Sequence, residues 1–304
     1  MYYYALDEYL KKVFGAKTYK LALSTGCSCP NRDGTLGTSG CLFCSDSGAG
    51  EFAQSNTLSI NEQIERAISL VSGKAKSDSY IAYFQSFTNT YGPIERLEPL
   101  FREAISHPSI VALSVATRPD SIREEMYDLL FSLSHQKPVW VELGLQTSDE
   151  TTAAMLRRGF DNACFEAAVR RLRQGGIKVI VHLILGLPGE TKEDILGSVD
   201  FISRIGVDGV KLQLLHVLRG TDLADMYAKG LFDVLTREEY LELLAAAVER
   251  LPRDVTIHRL TGDGAKSILI APLWSGDKRS VQNAMRRYFI DHDVEQGRDC
   301  RILT

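Results

Sequence analysis

No apolar run in these 304 residues approaches the roughly 18 that a membrane-crossing helix needs, which argues against a transmembrane anchor of that kind. The opening residues Met1-Tyr2-Tyr3-Tyr4-Ala5-Leu6-Asp7-Glu8 lack the charged-then-apolar order of a secretion signal, so a soluble, cytoplasmic protein is expected. A large excess of either charge is missing as well, since 35 Lys and Arg face 39 Asp and Glu. A formal net charge of −4 excludes a wholly basic nucleic-acid surface and leaves room only for local patches. Arg157, Arg158, Arg170, Arg171 and Arg173 make one such patch, and Lys278, Arg279, Arg286, Arg287, Arg298 and Arg301 another. Each reads equally well as a solvated helix face or as an RNA contact. Cysteines number six, but a chain of this length without an export signal needs no disulfide staples and meets a reducing cytosol, so clustered thiols read as metal ligands. Internal repeats, low-complexity tracts and Pro-rich linkers are missing too, which leaves no firm domain boundary.

The hydrophobic content of 44% is enough to bury a large single core. Short continuous apolar runs, at residues 20–25, 80–84, 110–116, 139–145, 179–185 and 210–217, alternate with stretches of helical periodicity. Such alternation marks parallel strands buried on both faces and joined by crossover helices. Ile64, Ala67, Ile68 and Val71 recur at helical spacing, as do Ile122, Met126, Leu129, Leu130 and Leu133, and Ser59-Ile60-Asn61-Glu62 fits a capping box. Six strand–helix units predict an α/β fold, an incomplete (β/α)6 barrel, because a closed eight-stranded one needs about 200 residues or more for its repeats. Beyond Leu218 the pattern changes to a helix over 236–251, a short run at 255–258 and a basic helix over 281–292. The expected division is a barrel over 1–251 and a C-terminal extension over 252–304 packed against it.

The first strand runs directly into Cys27-Ser28-Cys29-Pro30-Asn31-Arg32-Asp33-Gly34 and on to Gly40-Cys41-Leu42-Phe43-Cys44. Loops that follow barrel strands build the active face, so four thiols there are placed for chemistry. All four closing a structural zinc site is one reading. Against it, Cys27-x-Cys29 is tighter than the two to four intervening residues usual between zinc ligands, which favours three ligands. Three thiolates on an iron–sulfur cube leave one iron open to a cofactor or substrate.

Cys29, Cys41 and Cys44, with Phe43 before the last, resemble a widened form of the radical S-adenosylmethionine (SAM) signature. The insert 30–40 is similar to that of the elongator-catalytic-subunit-like branch. The resemblance implies a [4Fe–4S] cluster on Cys29, Cys41 and Cys44, with Cys27 a neighbour, and SAM bound across the strand ends. It places Gln85 and Ser86 after the second strand near the SAM amino group, where a polar turn containing Asn89 and Thr90 is the structural alternative. Gln146 and Arg158 follow at the spacing of residues near SAM, Arg158 offering a two-pronged guanidinium to the SAM carboxylate. His182, inside the apolar fifth strand, and the turn beginning at Gly186 fall where relatives meet the SAM nucleoside, and His216 ends the sixth strand. Thr117-Arg118-Pro119-Asp120 resembles a tetrapeptide of the same branch, Arg118 and Asp120 either pairing with each other or serving the site.

Two late segments, His258-Arg259-Leu260-Thr261-Gly262-Asp263-Gly264 and Ala271–Lys278, resemble a bacterial subfamily associated with the wobble uridine of tRNA. There a carboxymethylaminomethyl side chain is converted to an aminomethyl one. The implied partners are tRNA and an electron donor such as flavodoxin or ferredoxin. The implied substrate contacts are Arg118, Asp120, His258, Arg259, Lys278, Arg279, Arg286 and Arg287. The acetyltransferase domain of the elongator proteins has no counterpart in this sequence, so acyl transfer is not implied. Two other functions fit the same residues: radical chemistry on a small metabolite or protein, and a zinc-stabilised binding module.

Overall fold

The computed structural model describes residues 2–48, 50, 52–73, 78–262 and 264–302; Asp263 of the late segment falls outside them. The strands are β1 Tyr19–Leu23, β2 Tyr80–Phe84, β3 Ile110–Thr117, β4 Val139–Gln146, β5 Lys178–Leu185, β6 Gly209–Leu214, β7 Val217–Leu218, β8 Thr256–Arg259 and β9 Leu269–Ala271. Seven pair in the order β1-β2-β3-β4-β5-β6-β8, every pair parallel, in a sheet that curls into a partial barrel. The apolar runs are the strands because both faces of a parallel sheet are covered: all five residues of β2 are buried, as are seven of the eight in β3.

Two features depart from the sequence pattern. The apolar run 210–217 is not one strand; it breaks after Leu214, and β7 turns away to pair antiparallel with β9. Apolarity reports burial but not the point where a strand changes partners. The sheet also gains a seventh strand from the segment read as extension, since β8 lies beside β6 with Val210 opposite Ile257. Its four residues, two of them only partly buried, are too short a run to stand out.

Helix starts follow their caps. Ser59 accepts from the Glu62 amide while Glu62 reaches back to the Ser59 amide, and Thr236 with Glu239 repeats the arrangement for Arg237–Arg250. The basic helix begins earlier than its apolar pattern, at Lys278, because Asp277 caps it through the Ser280 amide at 3.1 Å. An N-terminal helix, Leu6–Phe14, plugs the end of the barrel from which the strands start. Its Leu10 packs among Ile81, Ala112, Trp140 and Ile180, and the Tyr9 ring meets Trp140 edge-on at 5.9 Å. Each such buried side chain contributes about 1.5–3 kcal/mol. The plug closes the lumen at the bottom, so chemistry is confined to the top, where the loops after the strands gather.

Candidate active site

A cavity of about 310 Å³ opens among those loops, and Cys29, Cys41 and Cys44 all line it. The cysteine loop is held by its own polar residues. Asn31 Nδ2 donates to the Arg157 carbonyl at 2.6 Å and to the Cys41 sulfur at 3.3 Å. Arg32 donates to the carbonyls of Cys44 and Ser45 at 2.9 and 2.7 Å. Gly40 has φ +74°, and a Cβ there would stand 2.8 Å from Arg32 Nε, so the turn that brings Cys41 back requires glycine. Cys27 lies elsewhere: it is buried in the main core, near Gly92, away from the cavity wall.

Burial pushes the Cys44 thiol up to about 12, with Cys41 adding to the rise, and burial raises Cys41 as well. Arg32 and Arg118 pull the other way. Three sulfurs around one cavity, an amide donor on one of them and two guanidiniums nearby fit an anionic cluster of the three-thiolate kind, which needs compensating charge and hydrogen bonds to sulfur.

At the strand ends the expected residues divide. Gln85, Arg118, Gln146, Arg158, His182, His216 and Arg259 line the cavity. Gln146 has φ +66°, and its buried Oε1 lacks a hydrogen-bond partner. An orphaned acceptor on strained backbone at a cavity wall suits a ligand that donates to it. Arg118 forks onto Asp120, Nε to Oδ1 at 2.9 Å and Nη2 to Oδ2 at 2.7 Å, while its guanidinium faces the Phe160 ring.

The remaining expected residues are held by protein partners or lie off the cavity wall. Arg158 touches the cavity but its side chain is only 4% exposed, and its donors go to the carbonyls of Phe160, Leu145 and Thr147, to Glu150 and to Asn162. All five guanidinium N–H groups thereby have protein acceptors, the Leu145 carbonyl being the most distant at 3.5 Å. Ser86 is buried against Gly50, and Gly186 packs on Leu235; neither reaches the cavity wall. His258 is half-buried beside Trp140 with ring centroids 5.9 Å apart and does not line the cavity. Lys278, Arg279, Arg286 and Arg287 are exposed on the C-terminal helix, outside the cavity. That helix follows a short turn in which the Ser275 hydroxyl meets His216 at 3.0 Å.

Below the strand ends lies a polar network absent from the sequence reading except for His182. Glu142, in the middle of β4 and fully buried, accepts from Lys20 of β1 at 2.5 Å, Ser114 of β3 at 2.7 Å, His182 of β5 at 2.8 Å and Lys211 of β6. Lys211 also donates to the Tyr83 hydroxyl of β2 at 3.0 Å. Burial alone would raise the Glu142 carboxyl; Lys20, Lys211 and His182 hold it well below the usual range. Burial takes His182 down to about 4, helped by Lys211, so the ring is neutral at pH 7. Burial likewise takes Lys211 down to about 7, against the pull of Glu142. The signal for these residues was a charged side chain inside a run of strand apolars, as in Val139-Trp140-Val141-Glu142-Leu143 and Gly209-Val210-Lys211-Leu212, which a buried strand tolerates only with partners.

The sequence model of the Radical SAM superfamily matches residues 27–202, and that of the Radical_SAM C-terminal domain matches residues 207–290. The uncharacterised protein YtqA of Bacillus subtilis is 38% identical over 296 residues, 97% of this chain and 92% of that protein. A tRNA uridine(34) acetyltransferase of Methanocaldococcus infernus is 29% identical over 200 residues, 64% of this chain and 35% of that protein. Among solved structures, an N-terminally truncated archaeal Elp3 of Methanocaldococcus infernus aligns with a TM-score of 0.70 at 18% identity, over 92% of this chain and 64% of its own.

Proposed function

That the chain belongs to the radical SAM superfamily is the premise from which we propose that Cys29, Cys41 and Cys44 hold its [4Fe–4S] cluster and that its substrate is a tRNA wobble uridine. The side chain acted on is carboxymethylaminomethyl, and the product is aminomethyl. Cys29, Cys41 and Cys44 would hold the cluster, which when bound with SAM would supply one-electron chemistry for hydrogen-atom abstraction from the substrate. This chain's residues bind and orient. Gln85 and Gln146 face the cofactor with amide groups, and Arg32 and Arg118 balance the charge at the sulfurs. The electron donor is a flavodoxin- or ferredoxin-like protein.

The observation that carries the wobble-uridine reading is the kinship over 200 residues with a relative named for uridine 34 of tRNA. It is supported by the exposed cations Lys278, Arg279, Arg286 and Arg287 on the C-terminal helix, which suit phosphates, and by single-stranded anticodon loops, whose bases can leave the stack. Anaerobic incubation of the iron-loaded protein with SAM, reductant and carboxymethylaminomethyl-bearing tRNA tests it, with nucleosides read by mass spectrometry. Appearance of the aminomethyl nucleoside supports the assignment; unchanged wobble uridine with SAM cleaved removes it. A small-metabolite or protein substrate is the second reading, and salt-dependent tRNA binding separates the two, since only a tRNA enzyme releases counterions on binding.

A further inference from the structure

The carboxylate of Glu142 serves too many cations. Its two oxygens have about four lone-pair sites, and Lys20, Ser114, Lys211 and His182 take them all. Among the described residues, one carboxylate therefore faces two ammonium groups, and Arg259, which has a partner of its own, also acts on Lys211 and Tyr83 from β8. His182 and His258 are held neutral by burial and so add nothing to either side at pH 7. Lys211 is 6% exposed, too dry for water to balance the surplus. Buried cationic excess of this kind is costly unless an anion joins it.

The surplus sits at the floor of the cavity, whose wall includes Tyr83, Glu142, His182, Lys211 and Arg259. Glu142 lies four residues before Gln146 along β4, so the network is deeper than the strand ends that face the cysteines. The N-terminal helix closes the space below. We infer that the lumen beneath the cofactor level is an anion subsite that receives a carboxylate, with Lys211 and Arg259 as its cationic wall and Lys20 behind them. Of the three donors on Lys211, Glu142 and the Tyr83 hydroxyl take two, which leaves the third for an oxygen of the carboxylate, with the charge of Arg259 nearby on β8. That this carboxylate belongs to the carboxymethyl group of the wobble uridine rests on the proposed function; the subsite itself does not.

Facing Lys211 are Lys20 from β1, Tyr83 from β2, Ser114 from β3 by way of Glu142, Glu142 from β4, His182 from β5, and Arg259 and His258 from β8. It titrates at about 7, so its ammonium form fills as pH falls below that value and empties as pH rises above it. Anion binding is then tighter at low pH and takes up a proton at high pH.

The test is titration calorimetry of the iron-loaded protein, saturated with SAM, using sodium acetate and its neutral isostere acetamide. Acetate binds at one site and acetamide does not, and acetate affinity falls about tenfold or more between pH 6.5 and 8.5. Arg259→Gln, which leaves every hydrogen bond of Glu142 in place, weakens acetate about tenfold, and Lys211→Met does the same where it folds. Equal heats for acetate and acetamide, indifference to Arg259→Gln, or loss of acetate binding on adding SAM would each overturn the subsite, the last because the anion would then be the cofactor's own carboxylate. A second arm compares tRNA bearing the carboxymethyl acid with its methyl ester. Arg259→Gln lowers kcat/KM for the acid more than for the ester. If acetate binds with the expected variant and pH dependence while the tRNA is not turned over, the wobble-uridine reading falls and the subsite stands. If the tRNA is processed but acetate does not bind, the subsite falls alone.

Discussion

Replacing Glu142 by Gln separates the electrostatics of the lumen from its shape, because the amide keeps the volume and removes the charge. Each of the two ammonium groups faces the carboxylate at ion-pair distance, worth about 4 kcal/mol apiece at an effective dielectric of 20. Part of this returns because a buried carboxylate no longer has to be desolvated, and breaking a buried pair costs about 3–5 kcal/mol net. The Lys211 share has a ceiling. Its ammonium titrates near 7 in the folded protein, far below the 10.5 of an unfolded chain, so as pH falls from 10.5 to 7 the unfolded chain alone takes up the proton and the folded wild type loses stability. Without Glu142 the folded-state value drops further. At pH 6 the wild type still holds that proton and the variant does not, a difference of about 1.4 kcal/mol for the one pH unit between 6 and 7. At pH 8.5 both release it, and the Lys211 share disappears. Urea unfolding of the wild type and Glu142→Gln, followed by far-UV circular dichroism, is expected to give a loss of about 3–5 kcal/mol at pH 6 and at least about 1 kcal/mol less at pH 8.5. A loss independent of pH, or larger at pH 8.5, would refute the argument that Glu142 sustains the charge on Lys211.

Cys29→Ala, purified anaerobically, is expected to lose the cluster, whereas Cys27→Ala keeps about four irons by colorimetric assay, since Cys27 lies in the core and not on the cavity wall. Gly40→Ala sets a Cβ against Arg32 Nε and forces an L-residue to positive φ, a strain of about 1–2 kcal/mol, which is expected as reduced iron content after reconstitution with the fold intact. Arg158→Lys gives up most of five hydrogen bonds in a buried position, so unfolding midpoints fall by the equivalent of about 2–4 kcal/mol while the equilibrium constant for SAM changes less than about threefold. Changing Lys278, Arg279, Arg286 and Arg287 together to Gln flattens the salt dependence of tRNA binding, by about 0.7 in log–log slope for each phosphate contact removed.

Much of this protein is legible in one dimension. Buried parallel strands announce themselves as continuous apolar runs, so the barrel class needs only local pattern, and the loop bearing Cys29, Cys41 and Cys44, singled out by its resemblance to the radical SAM signature, follows the first of them. Capping boxes at Ser59 and Thr236 are equally local, because each is closed within four residues.

What only the tertiary structure decided depends on which distant groups meet. That Arg158 braces its loop depended on Leu145, Thr147, Glu150 and Asn162 coming within reach of its donors. The place of β8 in the main sheet turned on its pairing with β6, some 45 residues earlier in the chain. The lumen turned on Lys20, Glu142 and Lys211, spread across three strands and brought together by the curl of one sheet. A sequence records that each of these residues is charged within an apolar run; the balance of charge among them exists only once the strands lie side by side.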